Sequence, residues 1–343
     1  NYCILRKMKE ILYKLFEHDT LDKETARQIL IDLANGKFNQ SQVAAFLTVY
    51  MMRSITVDEL EGFRDAMLEL CLPVQIDEYN AIDLCGTGGD GRDTFNISTL
   101  ASFVVAGAGQ AVAKHGNNGV SSVCGSSNLL AHFGYEFTND IDTLKSSLDE
   151  ANICFLHAPL FHPAMKNVAP IRKDLGVKTF FNMLGPMVNP SFPKNQLVGV
   201  FSLELARLYG YLYQKTNKNF VILHSLDGYD EISLTGNFKM ITNNGEQVLS
   251  PKQLGFSTVT PQDLYGGNTI ESAANIFENV LKNEGTEAQN NAVLANAGMA
   301  MYCSDQSQSY EEAIARADES LKSGKALNAF KKLIEKKIII SNQ

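Results

Sequence analysis

Residues 83–99 of this chain read DLCGTGGDGRDTFNIST, an apolar run that empties into glycines, hydroxyls and acids. Ala81, Ile82, Leu84 and Cys85 suit the buried end of a strand. Gly86, Gly88, Gly89 and Gly91 allow positive φ and a close backbone approach to a ligand. Asn96, Ser98 and Thr99 stand where a helix begins, because Leu100–Gly107 is apolar and compact. A glycine loop feeding a helix N-terminus presents backbone N–H groups that favour phosphate. Gly86, Gly88 and Gly91 satisfy G-x-G-x-x-G, but a dinucleotide site also needs an acid about 20 residues further on. The stretch from Val104 to Val112 has none. No Gly-Lys-Ser/Thr follows, so a Walker loop is excluded. An ordinary strand-to-helix turn explains one or two of these glycines and leaves the hydroxyl cluster without a purpose.

A second segment, KHGNNGVSSVCGSS from Lys114 to Ser127, repeats the chemistry with a lysine at its head. Two phosphate-friendly loops some thirty residues apart suit successive strand-to-helix turns of one α/β sheet, whose ligands gather at the strand C-terminal edge. Lys114 supplies a point charge, and Ser121, Ser122 and Ser126 supply hydroxyl donors. A Lys-His pair in a loop is ordinarily a solvated surface feature; the loop chemistry around this one turns it toward a ligand.

The elements that must position these loops follow from pattern. The first seventy-odd residues read as helices alone, with capping boxes at Asn39-x-x-Gln42 and Thr56-x-x-Glu59. Leu60, Phe63, Met67 and Leu70 share a helix face and read as core. Met8 opens a helical stretch, KEILYKLFEH, so Asn1–Lys7 reads as upstream sequence. Pro73 stops the last helix, and Val74–Asn80 reads as a linker. Strands are expected at Ala81–Leu84, Ile153–Leu156, Gln196–Val200 and Phe220–His224. Helices are expected to start at Asn268-x-x-Glu271, Thr286-x-x-Gln289 and Ser309-x-x-Glu312. Such alternation predicts a largely parallel sheet with helices on both faces. Residues 159–190, rich in prolines and helix formers, interrupt it.

With 343 residues, the chain can build one large core and a smaller lobe. A net charge of −8 and a pI near 5.3 lack the basic footprint of a nucleic-acid binder. Polyanionic substrates must then be met by local positive potential from helix N-termini, a few Lys and Arg, and metal ions. Cys3, Cys71, Cys85, Cys124, Cys154 and Cys303 form no C-x-x-C pair, which suits a reduced, cytoplasmic protein. The scattered histidines suggest no zinc site. No apolar run approaches the roughly 18 residues of a membrane span, and no signal peptide is visible.

Four motifs in order, GTGGDG…TFNIST, KHGNNGVSS…GS, RKDLGVKTFFNMLGPMVNP and LDGYDEIS, resemble the anthranilate phosphoribosyltransferase family of the tryptophan pathway. The resemblance runs from about Met8 to the C-terminal helices. It implies an α/β fold of the nucleoside phosphorylase/phosphoribosyltransferase class, with a small helical lobe and a larger domain whose mostly parallel sheet is flanked by helices. Residues 1–73 would form the helical lobe, joined by about 159–190; residues 74–158 and 191–343 would form the phosphoribosyl-binding domain. The cleft would lie between lobes, with hinges near 74–80 and 185–192. A homodimer through the helical lobe is the family expectation.

The implied reaction joins anthranilate to phosphoribosyl pyrophosphate and releases pyrophosphate, with Mg2+ as the cofactor. By position, the resemblance assigns Gly86, Gly89, Asp90, Thr94, Asn96, Ile97, Ser98 and Thr99 to phosphoribosyl pyrophosphate. Lys114, His115, Gly116, Asn117, Asn118, Gly119, Val120, Ser121, Ser122 and Ser126 join them. Ser98, Asp230 and Glu231 would ligate magnesium, although an adjacent Asp-Glu pair in a loop is by itself usually solvated surface. Arg172 would hold the anthranilate carboxylate, with Gly86 and Asn117 lining that side. No residue stands out as an essential acid or base, since an arylamine needs little activation to attack a cationic centre. One position departs from the family pattern: Asn118 stands where an arginine is usual. Two rivals are weighed. A pyrimidine nucleoside phosphorylase would leave Asp230, Glu231 and the Arg172 segment without work. A non-catalytic nucleic-acid-binding relative should be basic and should have lost one of the motifs.

Overall fold

The computed structural model describes residues 2–119 and 123–335, with side chains from Met8 onward. The chain divides into two compact units, one of Asn1–Pro73 with Pro159–Pro190, the other of Val74–Ala158 with Ser191–Gln343. In chain order the elements are α1 (Tyr2–Phe16), α2 (Lys23–Ala34), α3 (Gln40–Met52), α4 (Val57–Glu69), β1 (Ile82–Gly86), α5 (Ile97–Gly107), β2 (Val112–Gly116), α6 (Ser126–His132), α7 (Ile141–Ala151) and β3 (Ile153–His157). There follow α8 (Ala158–Phe161), α9 (Ala169–Leu175), α10 (Phe181–Leu184), β4 (Asn195–Gly199), α11 (Leu203–Tyr213), β5 (Asn219–Ser225), β6 (Phe238–Thr242) and β7 (Gly245–Leu249). The chain closes with α12 (Ile270–Leu281), α13 (Glu287–Ser304), α14 (Tyr310–Lys322) and α15 (Lys325–Glu335). Among the described residues no helix is long and apolar enough to cross a membrane.

In the helical unit the capping boxes form at both expected places, Asn39/Gln42 on α3 and Thr56/Glu59 on α4. Glu59 does more than cap: its buried carboxylate also accepts from Leu21 N at 3.0 Å and pairs with Arg53. The core is aromatic. Phe180 stacks on Phe63 with centroids 4.4 Å apart and meets Phe46 and Tyr50 edge-on. That is how the segment after Pro159 packs on α3 and α4, through rings that bury large area and interlock at defined angles. The first helix starts at Tyr2, ahead of Met8, where the expectation had placed its beginning.

The second unit holds a seven-stranded sheet in the order β3-β2-β1-β4-β5-β6-β7. The first five are parallel and in register, and β6 and β7 add an antiparallel edge. Parallel strands covered on both faces are largely continuous apolar runs, as Ile153–Leu156 of β3 and Phe220–Leu223 of β5 are, while β1 buries Asp83 among its apolar residues. β2 and the β6–β7 hairpin stand outside the expected strands. α5 is apolar nearly all round because it packs between the sheet, α13 and α15. Phe103, Phe133, Phe277 and Phe330 form an aromatic cluster on that side, mostly edge-on. Helix α12 is capped by Thr269 with Ser272, one residue later than the expected Asn268 box, whereas the Thr286/Gln289 and Ser309/Glu312 boxes form as expected. Thr269 wins because the hydroxyls of Thr269 and Ser272 satisfy each other's backbone N–H.

Candidate functional site

The strand order reverses at the β1/β4 boundary, and ligands of open parallel sheets bind beyond the strand C-termini at such a point. There β1 and β4 end side by side on paired glycines, Gly86 opposite Gly199. Both are small for a reason beyond the turn. A Cβ on Gly199 would lie 1.4 Å from the Asp230 carbonyl oxygen, and one on Gly86 would lie 2.3 Å from Asp230 Oδ2. The paired glycines therefore open a slot that admits the loop after β5. Thr87 N donates to Gly199 O at 2.9 Å, closing the two strand ends together. Beyond them the chain turns through Gly88, Gly89 and Gly91, each with φ between 64° and 76°, which side chains rarely adopt.

Asp230 is buried, and its Oδ2 accepts from Gly88 N at 2.7 Å. Glu231 Oε1 accepts from Ser98 N at 3.0 Å, in the first turn of α5. The two carboxylates thus hold N–H groups of the kind a phosphate would use, one in the glycine loop and one at a helix N-terminus. Burial, followed by the charge of Asp90, pushes the Asp230 carboxyl up to about 7. Burial, followed by Asp230 and Asp90, pushes Glu231 well above the ordinary carboxylate range, opposed by the Ser98 bond and Lys114. Three acids, two of them desolvated, form a site short of positive charge. Among the described residues no group of three or more His, Cys, Asp or Glu side chains is arranged to hold a metal ion. A pair of hard carboxylate oxygens suits a cation that takes its other oxygens from substrate and water, as magnesium does.

The second loop leaves β2 at Gly116. Lys114 and His115 are not loop residues as expected: they lie on β2 and are buried. Lys114 Nζ donates to Leu84 O at 2.6 Å, and His115 N donates to Asp83 Oδ1 at 3.1 Å. Burial pulls the Lys114 ammonium below its usual range, while Asp83, Cys85 and Glu231 hold it up. Beyond the strand, Asn117 O accepts from Ser127 N at 3.1 Å and Ser126 Oγ at 3.4 Å, and Asn118 N donates to Asn117 Oδ1 at 2.8 Å. Asn128 Oδ1 accepts from Gly119 N and Gly125 N at 2.8 and 3.1 Å, bracing the loop across its neck. Val120, Ser121 and Ser122 lie outside the described residues. Asn96 caps α5 without a side-chain bond to the helix, its Nδ2 reaching Cys124 O at 3.0 Å and so tying the first loop to the second. Ile97 and Thr99 are buried in the first turn of α5, and Thr94 pairs with Tyr265 across an isolated bridge.

Arg172 belongs to the helical unit, near the end of α9. Its guanidinium lies 5.0 Å from the Phe181 ring centroid, and Nη2 donates to Asn182 Oδ1 at 3.4 Å. Among the described residues no carboxylate pairs with it, and burial draws it below its usual range. A half-buried guanidinium stacked on an aromatic ring offers its remaining N–H fork to a planar anion.

Sequence reasoning missed three residues here. Gly199 ends an unremarkable strand, and its role depends on the register with β1. Arg92 donates through Nη2 to Asp227 O and lies 4.8 Å from the Tyr229 ring centroid, joining the glycine loop to the loop after β5. Asn296 on α13 bonds the backbone of Ile232. Only a polar residue in an otherwise apolar helix row marked Asn296 in advance.

Residues 78–327 match the model of the glycosyl transferase family, a/b domain, and residues 9–71 that of the glycosyl transferase family, helical bundle domain. The chain is 62% identical over 326 residues to the anthranilate phosphoribosyltransferase of Christiangramia forsetii, covering 95% of this chain and 98% of that one. The crystal structure of the Thermus thermophilus anthranilate phosphoribosyltransferase superposes with a TM-score of 0.88 at 32% identity, covering 94% and 98% of the two chains. The Saccharomyces cerevisiae enzyme of the same name, solved in complex with PRPP and Mg, gives 0.88 at 26% identity over 96% and 97%.

Proposed function

Since the chain belongs to the anthranilate phosphoribosyltransferase family of glycosyl transferases, we propose that it transfers the 5-phosphoribosyl group from phosphoribosyl pyrophosphate to the amine of anthranilate. The observation that carries this reading is the site at the sheet's switch point, where a glycine loop, a helix N-terminus and the Asp230-Glu231 pair converge. As the C1–oxygen bond to pyrophosphate breaks, its electron pair leaves on the pyrophosphate and the ribosyl C1 becomes cation-like. The amine lone pair forms the new C1–N bond, and the nitrogen then loses a proton to solvent. Positioning and charge neutralisation supply most of the rate in such a step.

Gly86, Gly89, Asp90, Thr94, Asn96, Ile97, Ser98 and Thr99 bind phosphoribosyl pyrophosphate, together with the loop that follows β2. Lys114, with Asp83 and Glu231 among its neighbouring charges, balances the acids from beneath. Asp230, Glu231 and Ser98 hold magnesium; two desolvated carboxylates with raised affinity for protons fit that ion, as does the yeast relative's complex. Bound there, magnesium would supply neutralisation of the pyrophosphate charge. Arg172 receives the anthranilate carboxylate, with Asn117 and Gly86 beside the ring. The protein works as a cytoplasmic homodimer.

A fluorescence assay of anthranilate consumption tests the reading. Loss of anthranilate signal that requires both phosphoribosyl pyrophosphate and magnesium is the expected result. Consumption without either, or none with both, would remove it.

A further inference from the structure

We propose that Asn296 is a positioning residue for the reaction: from α13 it grips the backbone of Ile232 and sets where Asp230 and Glu231 present their carboxylates. This inference rests on the function proposed above. Asn296 is 2% exposed in a row of buried apolar residues, where a buried amide is tolerated only if its polar atoms are bonded. Its Oδ1 accepts from Ile232 N at 3.1 Å, and its Nδ2 donates to Ile232 O at 2.9 Å and to Ala292 O at 2.8 Å. Both backbone groups of one loop residue are thus held by one side chain, which is itself anchored to its own helix. On the other side, Ser225 Oγ donates to Glu231 O at 2.6 Å, and Ser233 Oγ donates to Ser225 Oγ at 3.2 Å.

The loop needs such holding. Asp90, Asp230 and Glu231 crowd one another in a region of low dielectric, and ionised carboxylates there would push the loop outward. The side chains are held there by single bonds from the Gly88 and Ser98 N–H groups, which the substrate phosphates would claim. Backbone restraint at Glu231 and Ile232 keeps the carboxylates converged when substrate competes for those donors. A shift of about 1 Å in such a group is enough to cost roughly a hundredfold in rate.

The test separates positioning from ordinary stability. Phosphoribosyl pyrophosphate is titrated calorimetrically into the full-length protein at several magnesium concentrations, and the anthranilate KM is measured alongside. Asn296→Ala should weaken magnesium-dependent binding about tenfold or more while leaving the anthranilate KM within about threefold. Ser225→Ala, which removes the bond to the Glu231 carbonyl along with the Ser233 contacts to the same hydroxyl, should weaken it in the same direction by less, and it carries the test if the first variant fails to fold. Ser320→Ala is the control, since it removes an equally buried hydroxyl bond to Val104 O from the second half of α5. It should lower the melting temperature and leave binding unchanged. Parent-like binding in both Asn296→Ala and Ser225→Ala, or equal weakening in Ser320→Ala, overturns the inference alone. A parent that binds no phosphoribosyl pyrophosphate in a magnesium-dependent way overturns the function and the inference with it.

Discussion

Asp230 is a buried carboxylate crowded by Asp90, and its replacement separates catalysis from stability. Asp230→Asn with Glu231→Gln keeps volume and one acceptor oxygen on each side chain, so the fold should persist while turnover nearly disappears and excess magnesium rescues it only in part. The same variant has a stability signature. The Asp230 carboxyl sits at about 7, above the 3.8 of a free aspartate. The folded state therefore keeps a proton that the unfolded chain loses, and its contribution is full below about pH 4 and lost as pH rises through 7. Freed of that loss, the metal-free variant should match the parent's stability near pH 4 and exceed it increasingly as pH rises through 7, with Glu231 carrying the gap to higher pH. Chemical denaturation across that range checks it; a gap that does not widen with pH excludes the buried charge. Arg172 makes the complementary case. Arg172→Ala should raise the anthranilate KM about ten- to a hundredfold, from loss of a charge-assisted contact of about 1.5–3 kcal/mol. The affinity for phosphoribosyl pyrophosphate should stay nearly unchanged, and equal damage to both substrates would make Arg172 structural.

Among the elements, the paired ends of β1 and β4 decide whether the site can form. Gly199→Ala places a methyl where the Asp230 carbonyl lies, and a backbone group cannot rotate aside as a side-chain tip can. The loop after β5 must shift, so turnover should fall about a hundredfold or more, with far-UV circular dichroism unchanged. Parent-like turnover would show that the loop adapts without loss. This constraint was hidden in the sequence, because it appears only once Gly86 and Gly199 are in register and residue 230 returns over both. The loops themselves were legible, since few jobs require glycines and hydroxyls at such density before a helix. The parallel strands were legible too, as unbroken apolar runs such as Phe220–Leu223. β2 was not, because its lysine and histidine look like loop chemistry; the Leu84 carbonyl and the charge of Asp83 are what make the lysine tolerable in a sheet interior. The β6–β7 hairpin escaped notice because most of β7 faces solvent. Its signal was the Asn243-Asn244 turn before Gly245, whose φ is 123°.

At the scale of the whole molecule, the helical unit presents the surface through which two copies would assemble. α1 and α3 pack together, and each ends in large apolar side chains that face solvent: Tyr13 and Phe16 on the first, Met51 and Met52 on the second. Met52 is 83% exposed. Single exposed apolar residues are ordinary, whereas several on two adjoining helices mark an association surface. In a twofold dimer the same patch meets its own copy, so every substitution enters the interface twice. Phe16→Glu with Met52→Glu would then bring four like charges into one desolvated contact. Both positions are exposed in the single chain, so the fold should tolerate the change. The parent should sediment as a dimer at micromolar concentration and the double variant as a monomer of unchanged helicity. A monomeric parent, or a variant that still dimerises, would take the interface away from these helices.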